Sequence, residues 1–170
     1  SFKDEIHPDY THDEMTQYGC YEPELVILPG CTKEVSKILS YCSENHICVT
    51  VRGAGTGLCG GCVAIEGGVV MSMMRMNRIL EIDENTMTCT LEPGVLLMEI
   101  IEAASERNLL YAPDPGEKSA SVGGNIQTNA GGMRAVKYGV TRDYVKGLEI
   151  VLADGTILNL NGKTSKNSSG

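Results

Sequence analysis

The stretch Arg52-Gly53-Ala54-Gly55-Thr56-Gly57-Leu58-Cys59-Gly60-Gly61 is the part of this sequence best suited to chemistry. Glycine lets a backbone approach a ligand closely and adopt positive φ, so successive N–H groups can converge on a pyrophosphate. Arg52 and the Thr56 hydroxyl would add charged and neutral hydrogen bonds. A glycine turn that binds nothing is the plain alternative for one such loop. It weakens because a second stretch of the same character follows, Ser121-Val122-Gly123-Gly124-Asn125-Ile126-Gln127-Thr128-Asn129-Ala130-Gly131-Gly132.

Other patterns carry less. Gly55 to Gly60 fits Gly-x-Gly-x-x-Gly, with Glu81 or Asp83 roughly 20 residues beyond, as in a Rossmann NAD-binding domain. That fingerprint needs a helix to begin at the last glycines, whereas Val63-Ala64-Ile65-Glu66-Gly67-Gly68-Val69-Val70 is β-branched and broken by a glycine pair. The Rossmann domain stays only as an alternative. Gly162-Lys163-Thr164 resembles the end of a P-loop, but Ile157 stands where its first glycine must be. Cys59-Gly60-Gly61-Cys62 could be a redox dithiol or half a metal site, yet no second pair exists to complete four ligands. Small residues filling a glycine loop is the simpler reading, and no metal site is expected. Cys20, Cys31 and Cys42 are equally spaced across a loop and a helix, which means little. His7, His12 and His46 have no second ligand at i+4 and read as surface residues. Asp114, between Pro113 and Pro115, sits on a stiff loop and suits a cofactor contact or a simple turn role.

The elements that must position these loops are legible in part. Glu24 to Leu28 reads as a strand, and Thr32 can cap a helix carrying Val35, Ile38, Leu39 and Cys42 on one face. Ile47 to Val51 is a second strand, so a parallel βαβ unit is expected over residues 24–51. Short strands recur at Val69 to Met73, Ile79 to Ile82 and Thr86 to Glu92, the last two joined by a turn at Asp83 to Asn85. A helix follows Pro93-Gly94, with Leu97, Ile100, Ile101 and Ala104 on one face. Leu110 to Gly139 has little helical or strand period and reads as a long functional loop. Gly147 to Ala153 and Thr156 to Leu160 form a hairpin around Asp154-Gly155, which favours a type I′ turn. The fold class is α+β, with a small parallel part and a mixed, largely antiparallel part.

Composition narrows the function classes. With 170 residues, 42% of them hydrophobic and 21% charged, the chain can bury an ordinary core. No apolar run approaches the length of a membrane span. The net charge of -8 is concentrated in residues 1–25, where seven acids meet only Lys3, and no basic stripe suits a nucleic acid. Seven cysteines, mostly within apolar segments, read as reduced thiols, and a cytoplasmic protein is expected.

The motifs taken together, Val51 to Leu58 with Gly60-Gly61, then Pro113-Asp114-Pro115-Gly116, then Ser121 to Asn125 with Thr128 to Gly132, resemble one family in order and spacing. It is the PCMH-type FAD-binding domain of the vanillyl-alcohol oxidase and p-cresol methylhydroxylase superfamily, and within it the FAD-linked D-2-hydroxyacid dehydrogenases and the FAD-linked component of glycolate oxidase. Tyr138 to Tyr144 and Leu148 to Gly155 match the same subgroup.

The resemblance implies that Arg52, Gly53, Ala54, Gly55, Thr56, Gly57, Leu58 and Gly60 surround the FAD pyrophosphate. It places Asp114, Ser121, Gly123, Gly124, Asn125, Thr128, Asn129, Gly131 and Gly132 on the ribityl and isoalloxazine side, with the backbone of Tyr138 and Gly139 completing the pocket. Some members tether the flavin through a His in the first loop; Arg52 to Leu58 has none, so noncovalent FAD is expected. Glu117 replaces the usual Ser after Asp-Pro-Gly, and Glu117-Lys118-Ser119-Ala120 resembles a branch that pairs with an electron-transfer flavoprotein; an iron-sulfur subunit is another partner the resemblance allows. The implied activity is oxidation of a 2-hydroxyacid of the glycolate or lactate type. Residues 1–23 read as an acidic N-terminal segment and 24–170 as a flavin domain incomplete at its C-terminus, with the substrate domain and the catalytic side chains outside the chain. A nucleotide-binding module without activity, and a thiol redox protein using Cys59 and Cys62, are the competing functions.

Overall fold

The computed structural model describes residues 5–15, 17 and 19–160; Gly162-Lys163-Thr164 and the rest of 161–170 lie outside them. Strands β1 (Leu25–Ile27), β2 (Val49–Arg52) and β3 (Val69–Ser72) form one parallel sheet, with helix α1 (Thr32–Glu44) crossing between β1 and β2. β3 lies in the middle: Val69 stands opposite Leu25 on one side and Val49 on the other. The expected βαβ unit is parallel, but its two strands are separated by a third that was expected in the antiparallel part. All four residues of β3 are buried, and a strand covered on both faces reads as a continuous apolar run without alternation.

Helix α1 starts one residue earlier than a Thr32 cap would have it. Cys31 is the N-cap residue, Thr32 Oγ donates instead to Glu149 Oε1 at 2.6 Å, and Glu34 Oε2 accepts the Gly30 N–H at 2.7 Å. The expected apolar face packs inward, Val35 joining Met71 and Met76 with Ile38 and Leu39 beside them.

Strands β4 (Ile79–Asp83) and β5 (Thr88–Leu91) pair antiparallel, and helix α2 (Leu97–Ser105) follows. Val95, Leu97 and Ile100 cluster with Val122, which carries the second glycine stretch onto this core. That stretch is partly helical. α3 (Val122–Gln127) and α4 (Ala135–Tyr138) interrupt the region read as one long loop.

Strands β6 (Leu148–Val151) and β7 (Ile157–Leu160) form the expected hairpin, but its turn differs. The Leu152 N–H donates to the Thr156 carbonyl and the Gly155 N–H to the Leu152 carbonyl, both at 2.9 Å, and only Gly155 has positive φ, +86°. A type I′ turn needs two positive φ values; a three-residue loop with a left-handed glycine at its end fits instead. The turn seats on α1, where Ser36 Oγ donates to the Gly155 carbonyl at 2.6 Å and a Cβ on Gly155 would stand 2.6 Å from the Ser36 carbonyl oxygen. The class is therefore α+β, one parallel sheet with antiparallel pairs and helices.

The N-terminal residues pack on this frame. Ile6 and Tyr10 lie against Val26, Ala64 and Val70, and Asp13 is buried at 2% exposure. Among the described residues no helix is long and apolar enough to cross a membrane.

Candidate functional site

The first glycine loop leaves the C-terminal end of β2, where open parallel sheets hold ligands. Gly55 has φ +80° and Gly60 φ +70°, conformations that a side chain resists. Among the described residues no acceptor within the chain meets the N–H groups of Ala54, Gly55, Thr56, Gly57, Leu58 or Cys59. Such a run of backbone donors suits a phosphate.

Arg52 is turned inward. It is 6% exposed, donates from Nη1 to the His12 carbonyl at 2.7 Å and to Cys62 Sγ at 3.4 Å, and lies 5.7 Å from the Tyr10 ring centroid. A Cβ on Gly55 would overlap its guanidinium. The structure thus places the Arg52 charge beneath the loop. Among the described residues Arg52 has no ion-pair partner, so no direct contact with a carboxylate cancels its charge there. Burial pushes the Cys62 thiol up, and the Arg52 charge pulls it only partly back. Cys59 is exposed.

The second stretch meets the first at Gly53, where a Cβ would overlap Ser121 Oγ. Ser121 caps α3 by accepting the Gly124 N–H at 3.2 Å, and α3 is held by the Pro93 and Val95 carbonyls, which accept the N–H groups of Gly123 and Val122 at 2.8 Å. A Cβ on Gly123 would stand 2.8 Å from Pro93 Cβ. Asn125 is 5% exposed, and its Nδ2 is a buried donor with no partner among the described residues. Thr128 Oγ donates to the Gly124 carbonyl at 3.0 Å, while Asn129, at φ +48°, uses Oδ1 to accept the Arg142 N–H at 3.0 Å. These two hydroxyl and amide groups are committed to local structure.

Asp114 is likewise engaged. Lys118 Nζ donates to its carboxylate, Arg134 Nε lies 3.2 Å from Oδ2, and a Cβ on Gly132 would overlap the Asp114 carbonyl oxygen. The hydrogen bond from Lys118 first, then the charges of Lys118 and Arg134, hold the Asp114 carboxyl below the usual range. Gly131 abuts Val140, Tyr138 ends α4 and Gly139 follows the helix, Gly139 with φ +84° and the Tyr138 carbonyl accepting from Tyr144 Oη at 2.5 Å. The sequence-derived residues therefore join in one run of contacts, 52–60 meeting 121–125 at Gly53, and 121–125 continuing through Thr128 and Ala130 to 131–139 and Asp114. Among the described residues no group of three or more His, Cys, Asp or Glu is placed to hold a metal.

Sequence reasoning missed Tyr10, His12 and Asp13, which back the first loop, and Lys118 and Arg134, which hold Asp114. Nothing in an acidic N-terminal run marks one of its carboxylates as buried.

The family described as FAD binding domain matches residues 23–161. A D-lactate dehydrogenase of Anaerostipes hadrus is 52% identical over 167 residues, covering 98% of this chain and 35% of the relative. The glycolate oxidase subunit GlcD of Bacillus subtilis (strain 168) is 48% identical over 95% of this chain and 34% of its own length. The chain thus spans about a third of the length of the curated relatives it matches. In fold it is similar to a solved alkyldihydroxyacetonephosphate synthase, TM-score 0.80 at 22% identity over 89% of this chain and 33% of that one. The unpaired amides, the inward arginine and the seam at Gly53 fit a dinucleotide-like diphosphate, and with residues 23–161 matched in one run the chain belongs to the FAD-binding domain family.

Proposed function

We propose that this chain is the flavin-holding part of an oxidoreductase acting on a 2-hydroxyacid of the lactate or glycolate type. The observation that carries the reading is the row of unpartnered N–H groups at residues 54–59 above the buried Arg52 charge. In this reading residues 52–58 hold the diphosphate and Gly60 closes the loop around it, its own N–H bonded to Asp13, while Asp114, Ser121, Gly123, Gly124, Asn125, Thr128, Asn129, Gly131, Gly132, Tyr138 and Gly139 line the ribityl and ring side. FAD held there would supply a two-electron acceptor, at its N5, for the α-hydrogen of the 2-hydroxyacid as hydride, with the hydroxyl proton left to a base. Arg52 acts from below, through charge and by supporting Gly55, because its hydrogen bonds go to His12 and Cys62. Thr128, Asn129 and Asp114 act by shaping the backbone of 128–134.

Residues 24–170 then form the first part of the flavin domain of a cytoplasmic enzyme, and the substrate side lies in sequence beyond it. The electron acceptor downstream is an electron-transfer flavoprotein or an iron-sulfur subunit. The test is to purify the full-length protein, release and identify its flavin by acid, and follow D-lactate and glycolate oxidation with an artificial acceptor. Stoichiometric FAD and turnover of either acid support the reading. A colourless protein that binds no added FAD overturns it, and a yellow protein without turnover reduces it to a binding module.

A further inference from the structure

We propose that Asp13 is a positioning residue for the first glycine loop, and that residues 12–14 are a built part of the cofactor site although the family match begins at residue 23. Three consecutive residues grip the loop at three points. The His12 carbonyl accepts from Arg52 Nη1 at 2.7 Å, the Glu14 N–H donates to the Gly57 carbonyl at 3.2 Å, and Asp13 Oδ2 accepts the Gly60 N–H at 2.7 Å. The first contact holds the loop where it leaves β2, the second its middle, the third its exit.

A carboxylate is a costly group to bury, and at 2% exposure Asp13 is buried almost completely. Its other oxygen is also used: Oδ1 accepts the Met15 N–H at 2.9 Å, which closes a local turn and fixes the side-chain direction. A buried anion beside a phosphate-binding loop repels the ligand, so its presence needs a structural return. That return is the Gly60 turn. Gly60 adopts φ +70°, and its N–H is committed to Asp13 rather than free for a ligand. The N–H groups of 54–59 then stand as one set, preorganised for an anion, while Gly60 closes the loop. The inference rests on the loop holding the FAD diphosphate.

The test uses the full-length protein as wild type, Asp13→Ala and Asp13→Asn, with FAD affinity by flavin fluorescence and amide exchange over 52–62 with and without FAD. In the wild type without FAD, the Gly60 amide should exchange much more slowly than those of 54–59, and FAD should protect the latter. Asp13→Ala should weaken FAD about tenfold or more and speed exchange at 57–62 before any flavin is added. Asp13→Asn keeps one oxygen to accept from Gly60 but turns an NH2 donor toward the Met15 N–H, so it should weaken FAD by less than Asp13→Ala, by about threefold to fivefold. A Gly60 amide as fast as its neighbours in the wild type, an Asp13→Ala protein with wild-type affinity, or an Asp13→Asn protein as weak as Asp13→Ala would overturn the proposal. If FAD binds without protecting 54–59, the placement of the diphosphate fails instead. The wild-type and Asp13→Asn measurements stand even if Asp13→Ala does not fold.

Discussion

Gly53 and Ser121 touch so closely that a Cβ built on Gly53 would overlap the Ser121 hydroxyl, which also caps α3. This contact joins the two glycine stretches, and each side can be varied separately. Gly53→Ala should destabilise by about 1–3 kcal/mol, since a methyl group must displace a fixed side chain. Ser121→Ala should cost about 1 kcal/mol as a lost N-cap. Because the overlap is with the hydroxyl, the double variant should be more stable than the sum of the two losses predicts. Denaturant unfolding of the four proteins gives the coupling, and simple additivity would show that the loops do not meet there.

Gly55→Val should abolish FAD binding. The position combines φ +80° with the Arg52 guanidinium lying where the side chain would go, so both backbone and space resist it. Gly124→Val should also lower FAD content, by a different route. Gly124 lies within α3, where a Cβ would stand 3.1 Å from Ser121 Oγ, so the disturbance is steric. Flavin content of each purified full-length variant checks this, and wild-type content in Gly55→Val would mean that the cofactor is misplaced.

Replacing Cys59 and Cys62 together by Ser should leave FAD binding within about threefold of the wild type. Cys59 is exposed, and the Cys62 contact with Arg52 at 3.4 Å can be kept by a hydroxyl. Burial pushes the Cys62 thiol up, so alkylation near neutral pH should be slow at that residue. Rapid alkylation of Cys62 with loss of flavin would instead favour a thiol function.

The glycine loops were legible because nothing else in the sequence explains their density, and their meeting at Gly53 is consistent with reading them as one site. The helix α3 was not legible. Its six residues include Gly123 and Gly124, poor helix formers, and it exists because Ser121 caps it and the Pro93 and Val95 carbonyls hold its first turn. Both acceptors come from a distant part of the chain, so no local pattern announces them. β3 was read as a strand at Val69 to Met73, but its place between β1 and β2 was not legible, since pairing with strands distant in sequence leaves no local pattern. The hairpin was read correctly as a hairpin and its turn was not, because Asp-Gly serves two turn geometries and only the φ of Asp154 and Gly155 separates them.

Acid should weaken the fold through Glu92. Arg78 donates to it from Nε at 3.1 Å and from Nη2 at 2.7 Å, and the Arg78 N–H adds a third bond at 2.8 Å. The side-chain hydrogen bonds from Arg78 foremost hold the Glu92 carboxyl below the ordinary value of 4.5, against burial, which raises it. A carboxylate with a lowered folded value stabilises the fold above its unfolded value and loses that contribution as pH falls through the folded one. Glu92→Gln should therefore melt lower than the wild type at neutral pH, and the gap should close below pH 4.5. A gap independent of pH would assign the effect to packing.

The 170-residue chain alone should not oxidise lactate or glycolate, even with added FAD. Three titratable groups beside the two loops are already engaged: Asp13 by Gly60 and Met15, Asp114 by Lys118 and Arg134, and Arg52 by His12. His12 places Nδ1 at 3.0 Å from the Asp13 carbonyl. None of these is a free base for a substrate hydroxyl, and hydride transfer also needs the reacting carbon held at about 3–3.5 Å from its acceptor in a fixed orientation. The chain covers about a third of the length of its dehydrogenase relative, so both requirements are expected to be met by the remainder of a longer protein. Assays of the chain and of the full-length protein side by side, with an artificial electron acceptor, decide it. Steady turnover by the chain alone would mean that one of these bonded groups gives up its partner to act as the base.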